Sequence, residues 1–224
     1  MINKLKTELV RVDFIKNAFI FLENNYIPKQ FGDAFENNES LNEFYRLEEP
    51  SQVGVQLTAQ ISHAFYSYLK YHLNHLFEKE NSFLRVVTIR EVNNTKSYDL
   101  VLEDLQENKL HYIEVKLSQN KNSWQGSTST TSKVDMFLLI NFKIDRNLKL
   151  NSNNKKIFTG IFASIVDMKN KNWEGEAKSN NHRTKFEFRK DFWDIDFLSK
   201  ECIIMGGVSP KKSILHLVHN DIHE

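Results

Sequence analysis

Between residues 4 and 25, Leu5, Leu9, Val12, Ile15, Phe19 and Leu22 recur at three- and four-residue steps, which gathers apolar side chains on one face of an α-helix. Residues 28–50 lose that period and are punctuated by Pro28, Gly32, Asn37-Asn38 and Pro50. A second helical period begins near Gln52 and runs to about Glu80. Leu57, Ile61, Phe65, Leu69, His72 and Leu76 line one face; Gln56, Gln60, His63, Ser67, Lys70 and Asn74 line another. At 1.5 Å per residue such a helix would span about 40 Å. From residue 83 the period drops to two. Residues 83–92 (FLRVVTIREV), 97–104 (SYDLVLED) and 110–117 (LHYIEVKL) read as strands, with Asn93-Asn94 and residues 106–109 as turns. Residues 134–144 and 157–168 are nearly unbroken apolar runs, expected at the centre of a sheet covered on both faces. Residues 185–188 and 203–218 predict short strands, and 192–198 a short helix. No internal repeat interrupts the pattern. The expected architecture is α/β, a mixed central sheet flanked by helices.

Length and composition narrow this only a little. The chain has 224 residues, 40% of them hydrophobic, including 17 Phe, which suits one domain burying roughly 70% of its unfolded surface. Thirty Lys and Arg against 29 Asp and Glu leave a net charge of +1. That balance neither advertises nor excludes a nucleic-acid partner, because a local basic surface decides the matter. The single Cys202 excludes an intrachain disulfide and a cysteine metal cluster, and fits a reducing compartment. With no run of 18 apolar residues and no signal-type start, a soluble cytoplasmic protein without membrane contact is expected. No Walker loop or dinucleotide fingerprint is found, so no nucleotide cofactor is expected. The 24 Asn residues read as a compositional bias.

Candidate chemistry lies in the second and third strands. Asp99 and Glu114 are nearly equidistant from the 106–109 turn, so their side chains are expected to meet across the hairpin. Alternation sets Glu114 and Lys116 on one face and Ile113, Val115 and Leu117 on the other. Two carboxylates can bind a divalent cation through oxygen, the cation can activate water at a phosphoryl centre, and the lysine can steer that water. An ordinary cross-strand surface pair is the plain alternative.

An Asp, a hairpin and then Glu-x-Lys after an apolar residue resembles the PD-(D/E)xK nuclease superfamily, and type II restriction endonucleases within it. The helix before the three-stranded meander and the apolar strand after it extend the likeness over residues 52–168. Ser97-Tyr98 stands where that family often has proline before the Asp. The resemblance implies a restriction-endonuclease-like core, Asp99 and Glu114 holding Mg²⁺, and Lys116 assisting the attacking water. It also implies a further site group on the preceding helix, for which Gln60 and Gln56 are the candidates. Residues 1–224 would form a single nuclease domain, with 1–50 a helical extension used in dimerisation.

Two segments are candidates for contact with double-stranded DNA. Residues 118–133 (SQNKNSWQGSTSTTSK) contain twelve Ser, Thr, Asn or Gln, two Lys and no acid. They leave the proposed active strand directly. Their amides and hydroxyls suit base edges and phosphate oxygens: Asn120, Asn122, Ser123, Gln125, Ser127, Thr128, Ser129 and Thr130 as donors and acceptors, Lys121 on phosphate, and Trp124 and Lys133 as further DNA contacts. Trp124-Gln125-Gly126 is read as an anchored turn. Type II restriction enzymes, by the same resemblance, often bring such a segment to DNA. The second segment, 169–190, holds seven Lys or Arg against three Glu, with Lys169, Lys171, Asn172 and Arg183 as backbone contacts and WEG and TKFEFRK suggesting a hairpin. A polar surface loop and a solvated charged face are the respective alternatives. The leading expectation is a Mg²⁺-dependent, homodimeric endonuclease cutting a short palindromic site. A structure-specific or repair nuclease, a non-catalytic DNA-binding protein, and an α/β protein with a merely superficial Glu-x-Lys are the alternatives.

Overall fold

The computed structural model describes residues 2–46, 48–87, 99–119, 123–126, 134–151, 157–167, 173–174, 184–188, 204–208 and 214–217. The expected 4–25 helix is instead α1 (Ile2–Arg11), α2 (Phe14–Phe21) and a π-helical turn (Leu22–Tyr26). The break falls at Asp13, whose φ of 51° is a left-handed conformation that a short polar side chain tolerates. The apolar spacing conceals the break because Leu9, Val12, Phe14 and Ile15 are buried on both sides of it. Three short helices follow, α3 (Ile27–Gln30), α4 (Gly32–Glu36) and α5 (Leu41–Phe44). At α5 the Ser40 hydroxyl accepts from the Glu43 N–H and the Glu43 carboxylate accepts from the Ser40 N–H, a reciprocal cap.

The long helix expected to Glu80 is α6 (Pro50–Tyr71) and α7 (Leu73–Lys79), separated at His72. His72 leaves helical geometry at φ −120°, with its ring 4.4 Å from Phe21. Asn81, at φ 49°, then closes α7, and the Ser82 N–H donates to the Phe77 carbonyl at 2.8 Å.

Among the described residues, five strands form the sheet that carries the site: β1 (Leu84–Val86), β2 (Leu100–Asp104), β3 (Lys109–Ser118), β5 (Met136–Ile144) and β6 (Phe158–Asp167). Their order is β1-β2-β3-β5-β6, antiparallel except for the parallel β3–β5 pair, so the sheet is mixed. The intervening β4 (Ser123–Gly126) belongs to a second, antiparallel sheet of order β4-β8-β9-β10-β7. Its other members are β7 (Trp173–Glu174), β8 (Thr184–Phe188), β9 (Ile204–Val208) and β10 (Ile214–Leu217).

Three expectations are corrected. Trp124-Gln125-Gly126 is not a turn but part of β4, laddered to β8 with Trp124 opposite Phe186. WEG and TKFEFRK do not pair with each other, since β7 lies beside β10 while β8 lies between β4 and β9. The 157–168 run is not central, because β6 ends its sheet among the described residues. Of the strand expected over 83–92, β1 covers Leu84–Val86 and residues 88–92 lie outside the described residues, as does the helix expected at 192–198.

One apolar core joins the helices to one face of the first sheet. Leu5 and Leu9 of α1, Phe19 of α2, and Leu57, Ile61 and Phe65 of α6 share it with Leu100, Leu102, Ile113, Val115, Leu138 and Phe142. Val101, Phe137 and Leu139 on the opposite face are buried as well, so β5 is covered on both faces as its unbroken apolar run requires. Among the described residues, no helix is long and apolar enough to cross a membrane.

The hairpin that aligns the site is closed by Asp104. Its carboxylate accepts from the backbone N–H groups of Gln106 (2.9 Å) and Glu107 (3.0 Å) and from Lys4 (3.0 Å), while Asn108 takes the left-handed position at φ 49°. Burial pushes the Asp104 carboxyl up, but Lys4 and the two N–H groups outweigh it and hold it below the usual carboxylate range. A depressed folded pKa gives stability that is present above the unfolded value, near pH 4, and is lost as pH falls through the folded one. Asp104→Ala is expected to cost about 1–3 kcal/mol at pH 7. Urea melts should show that difference shrinking below about pH 4; a constant difference down to pH 2 would assign the loss to packing instead.

Candidate active site

The register of the β2–β3 ladder places Leu100 opposite Ile113, so its continuation brings Asp99 to Glu114. The peptide groups of Ile113 and Val115 face β2, and those of Tyr112, Glu114 and Lys116 face β5, as alternation along a strand requires. Just beyond Leu100, side chains take over from the ladder. The Val115 N–H donates to the Asp99 carboxylate at 2.9 Å, and the Val115 carbonyl accepts from the Tyr66 hydroxyl of α6 at 2.8 Å. Asp99 is thereby fixed beside Glu114 and Lys116 by a backbone bond.

The three candidates from the sequence are brought together. The Lys116 ammonium is ion-paired with Glu114 and lies 4.0 Å from the Asp99 carboxylate. Glu114 is only 9% exposed, with the buried Phe137 as its β5 neighbour in register. Water is largely excluded from the Glu114 carboxylate, while Asp99 beside it is exposed. Burial pushes the Glu114 carboxyl up, Lys116 pulls it down, and the nearby Asp99 carboxylate raises it again; the net direction is upward. One ammonium thus serves two carboxylates, one of them desolvated, an arrangement typical of functional sites. The same surroundings, burial first and then the charges of Asp99 and Glu114, raise the Tyr66 phenol and keep it protonated.

Among the described residues no three His, Cys, Asp or Glu side chains are grouped for a metal. Asp99 and Glu114 are the pair that could hold one through hard oxygens, with water completing the shell.

Helix α6 also grips the chain just past the end of β3. The Gln119 amide donates to the Gly54 carbonyl (3.1 Å) and the Thr58 hydroxyl (2.7 Å). Gln60 goes elsewhere: its side-chain carbonyl accepts from the Tyr45 hydroxyl at 2.8 Å. Tyr66, not Gln60 or Gln56, is the α6 side chain with a described bond to the Glu-x-Lys strand. Sequence reasoning passed over it because it lies between the two faces defined by helical spacing.

Of the candidate DNA contacts, Ser123, Trp124 and Gln125 lie in β4. Asn120, Lys121, Asn122, Ser127, Thr128, Ser129, Thr130, Lys133, Lys169, Lys171, Asn172 and Arg183 lie outside the described residues. No family model, no curated protein and no solved structure matches this chain.

Proposed function

We propose that this protein is a Mg²⁺-dependent endonuclease of double-stranded DNA, built on a restriction-endonuclease-like core and most like a type II enzyme. The observation that carries the reading is the buried Glu114 carboxylate set beside Asp99, with Lys116 reaching both. The element order supports it: the long α6, an antiparallel β1-β2-β3 meander bearing the three residues, then an apolar strand alongside β3. That is the order the PD-(D/E)xK resemblance implies.

The residues divide the work by chemistry. Asp99 and Glu114 would hold the cation; burial first and the Asp99 charge second raise Glu114, and a cation between the two carboxylates would offset both. Bound there, Mg²⁺ would polarise a phosphoryl oxygen and lower the pKa of a bound water. Lys116 donates only, so it can orient the attacking water and balance charge growing on the phosphate. Val115 keeps Asp99 in place through its N–H. Hydrolysis would leave 5′-phosphate and 3′-hydroxyl ends. The polar 118–133 segment supplies base and phosphate contacts, and 169–190 further backbone contacts. Paired cuts in a duplex call for a homodimer, with a palindromic site mirroring its two-fold axis. A reducing, cytoplasmic location suits the lone Cys202.

The test is incubation with a large supercoiled plasmid and Mg²⁺, followed by sequencing of the ends. Cutting at one short motif is expected, lost with EDTA and in Asp99→Ala, whose DNA affinity should stay near the parental value. Sedimentation should give a dimer. Ends scattered without sequence preference would favour a structure-specific nuclease. Parental cutting by the Asp99→Ala variant would remove the site assignment.

A further inference from the structure

We propose that Tyr66 is a positioning residue for this site, its hydroxyl holding the Val115 peptide so that Glu114 and Lys116 are presented together to a divalent cation and a phosphate. The inference rests on the nuclease reading above and adds a residue that the Glu-x-Lys pattern does not contain.

The geometry is local and specific. Val115 is the residue between Glu114 and Lys116, and both its polar backbone groups are held by side chains: the N–H by Asp99, the C=O by Tyr66. Those two bonds come from different elements, so of the two peptide groups flanking Val115 one is held from the strand side and the other from the helix side. Gly54, Thr58, Ser62 and Tyr66 recur every four residues and form one stripe of α6. Within it the Thr58 and Ser62 hydroxyls turn back onto the Gly54 and Thr58 carbonyls at 2.8 and 2.7 Å. Gln119 bonds to Gly54 and Thr58 at the upstream end of the stripe, and Tyr66 reaches Val115 at the other. The helix therefore holds the chain at Val115 of β3 and at Gln119 just past its end, on either side of Lys116. Of these two grips, only the one from Tyr66 falls between the carboxylate and the ammonium. Without the hydroxyl the buried Val115 carbonyl loses its partner, and the peptide joining Val115 to Lys116 relies on its pairing with β5, which lets Lys116 tilt relative to Glu114.

A purely structural role would cost stability and leave cation affinity alone, which sets the test. Mn²⁺ binding, followed by electron paramagnetic resonance, is measured for the wild type, Tyr66→Phe and Tyr68→Phe, alongside melting temperatures and plasmid cleavage in Mg²⁺. Tyr68 lies on the same helix, buried in the apolar core, and controls for loss of a hydroxyl. Groups that orient metal-binding side chains are worth 10- to 100-fold in affinity or activity. Tyr66→Phe is expected to weaken Mn²⁺ binding and lower kcat by about that factor, with metal-free DNA affinity unchanged and Tyr68→Phe behaving as wild type. Wild-type Mn²⁺ affinity and kcat in Tyr66→Phe, even with a lowered melting temperature, would overturn the role. So would absence of Mn²⁺ binding by the wild type. If the wild type binds Mn²⁺ but cuts no DNA, the nuclease reading fails, while the ratio between Tyr66→Phe and wild type still decides what Tyr66 does.

Discussion

Glu114→Gln is expected to slow Mg²⁺-dependent DNA cleavage by at least about 10³-fold, some 4 kcal/mol of transition-state stabilisation. The amide keeps the shape of the side chain and removes the charge that a cation needs. DNA affinity is expected to remain within about threefold, because affinity in such interfaces comes chiefly from phosphate contacts elsewhere. Stability should move the other way. Glu114 is buried and pressed by Asp99, so its charged form is held at a cost that a neutral amide avoids. Single-turnover cleavage and thermal melts on one preparation check both halves. A variant that still cuts at the wild-type rate would sink the assignment. One that melts several degrees lower would mark Glu114 as a structural ion-pair partner of Lys116.

Phe19→Ala is expected to destabilise the fold by about 3–5 kcal/mol. The Phe19 ring is 2% exposed and meets Phe65 of α6 at 5.8 Å, Phe142 of β5 at 6.0 Å and Phe158 of β6 at 4.8 Å, edge-on to the last. It is the point where an N-terminal helix, the long helix and two strands share one packing site. Truncation opens a cavity on all four at once, and rigid neighbours collapse into it poorly. Urea unfolding followed by circular dichroism should show the midpoint fall with the slope unchanged. A loss under 1 kcal/mol would mean that residues 1–50 are only loosely coupled to the sheet.

What could be read from the chain follows the range of the physical signal. Alternation in LHYIEVKL separates Glu114 from Val115 without any knowledge of partners, because side-chain direction in a strand is a local property. The meeting of Asp99 and Glu114 was legible too, since a short turn between adjacent strands fixes which residues face each other. The turn itself lies at 105–108, one residue earlier than 106–109, with Asp104 opposite Lys109. The contact of Tyr66 with Val115 spans 49 positions, and nothing in helical spacing points to it. β4 was hidden for two reasons: its partner β8 lies about sixty residues downstream, and SWQG lacks the β-branched alternation that marks a strand. The break at Asp13 was masked by apolar residues continuing on both sides. Asparagine carried more than composition suggested: of the four non-glycine residues at positive φ among the described residues, three are Asn38, Asn81 and Asn108, each ending a helix or closing a turn.

The connection from β3 to β5 is pinned at both ends. Gln119 is tied to Gly54 and Thr58, and Asp135 exchanges bonds with Tyr112, its N–H onto the Tyr112 carbonyl and its carboxylate onto the Tyr112 N–H, each at 2.9 Å. Apart from β4, which is laddered to β8, the connection between those anchors can change in sequence or length without dragging the carboxylate strand along, since extra length costs little once the ends are fixed. Selection can then act on the connecting segment and on the chemistry of Asp99, Glu114 and Lys116 as separate traits. Under the nuclease reading, a lineage built on this scaffold could drift to new targets by substitutions in 120–133 while the strand that carries Glu114 and Lys116 stays in place.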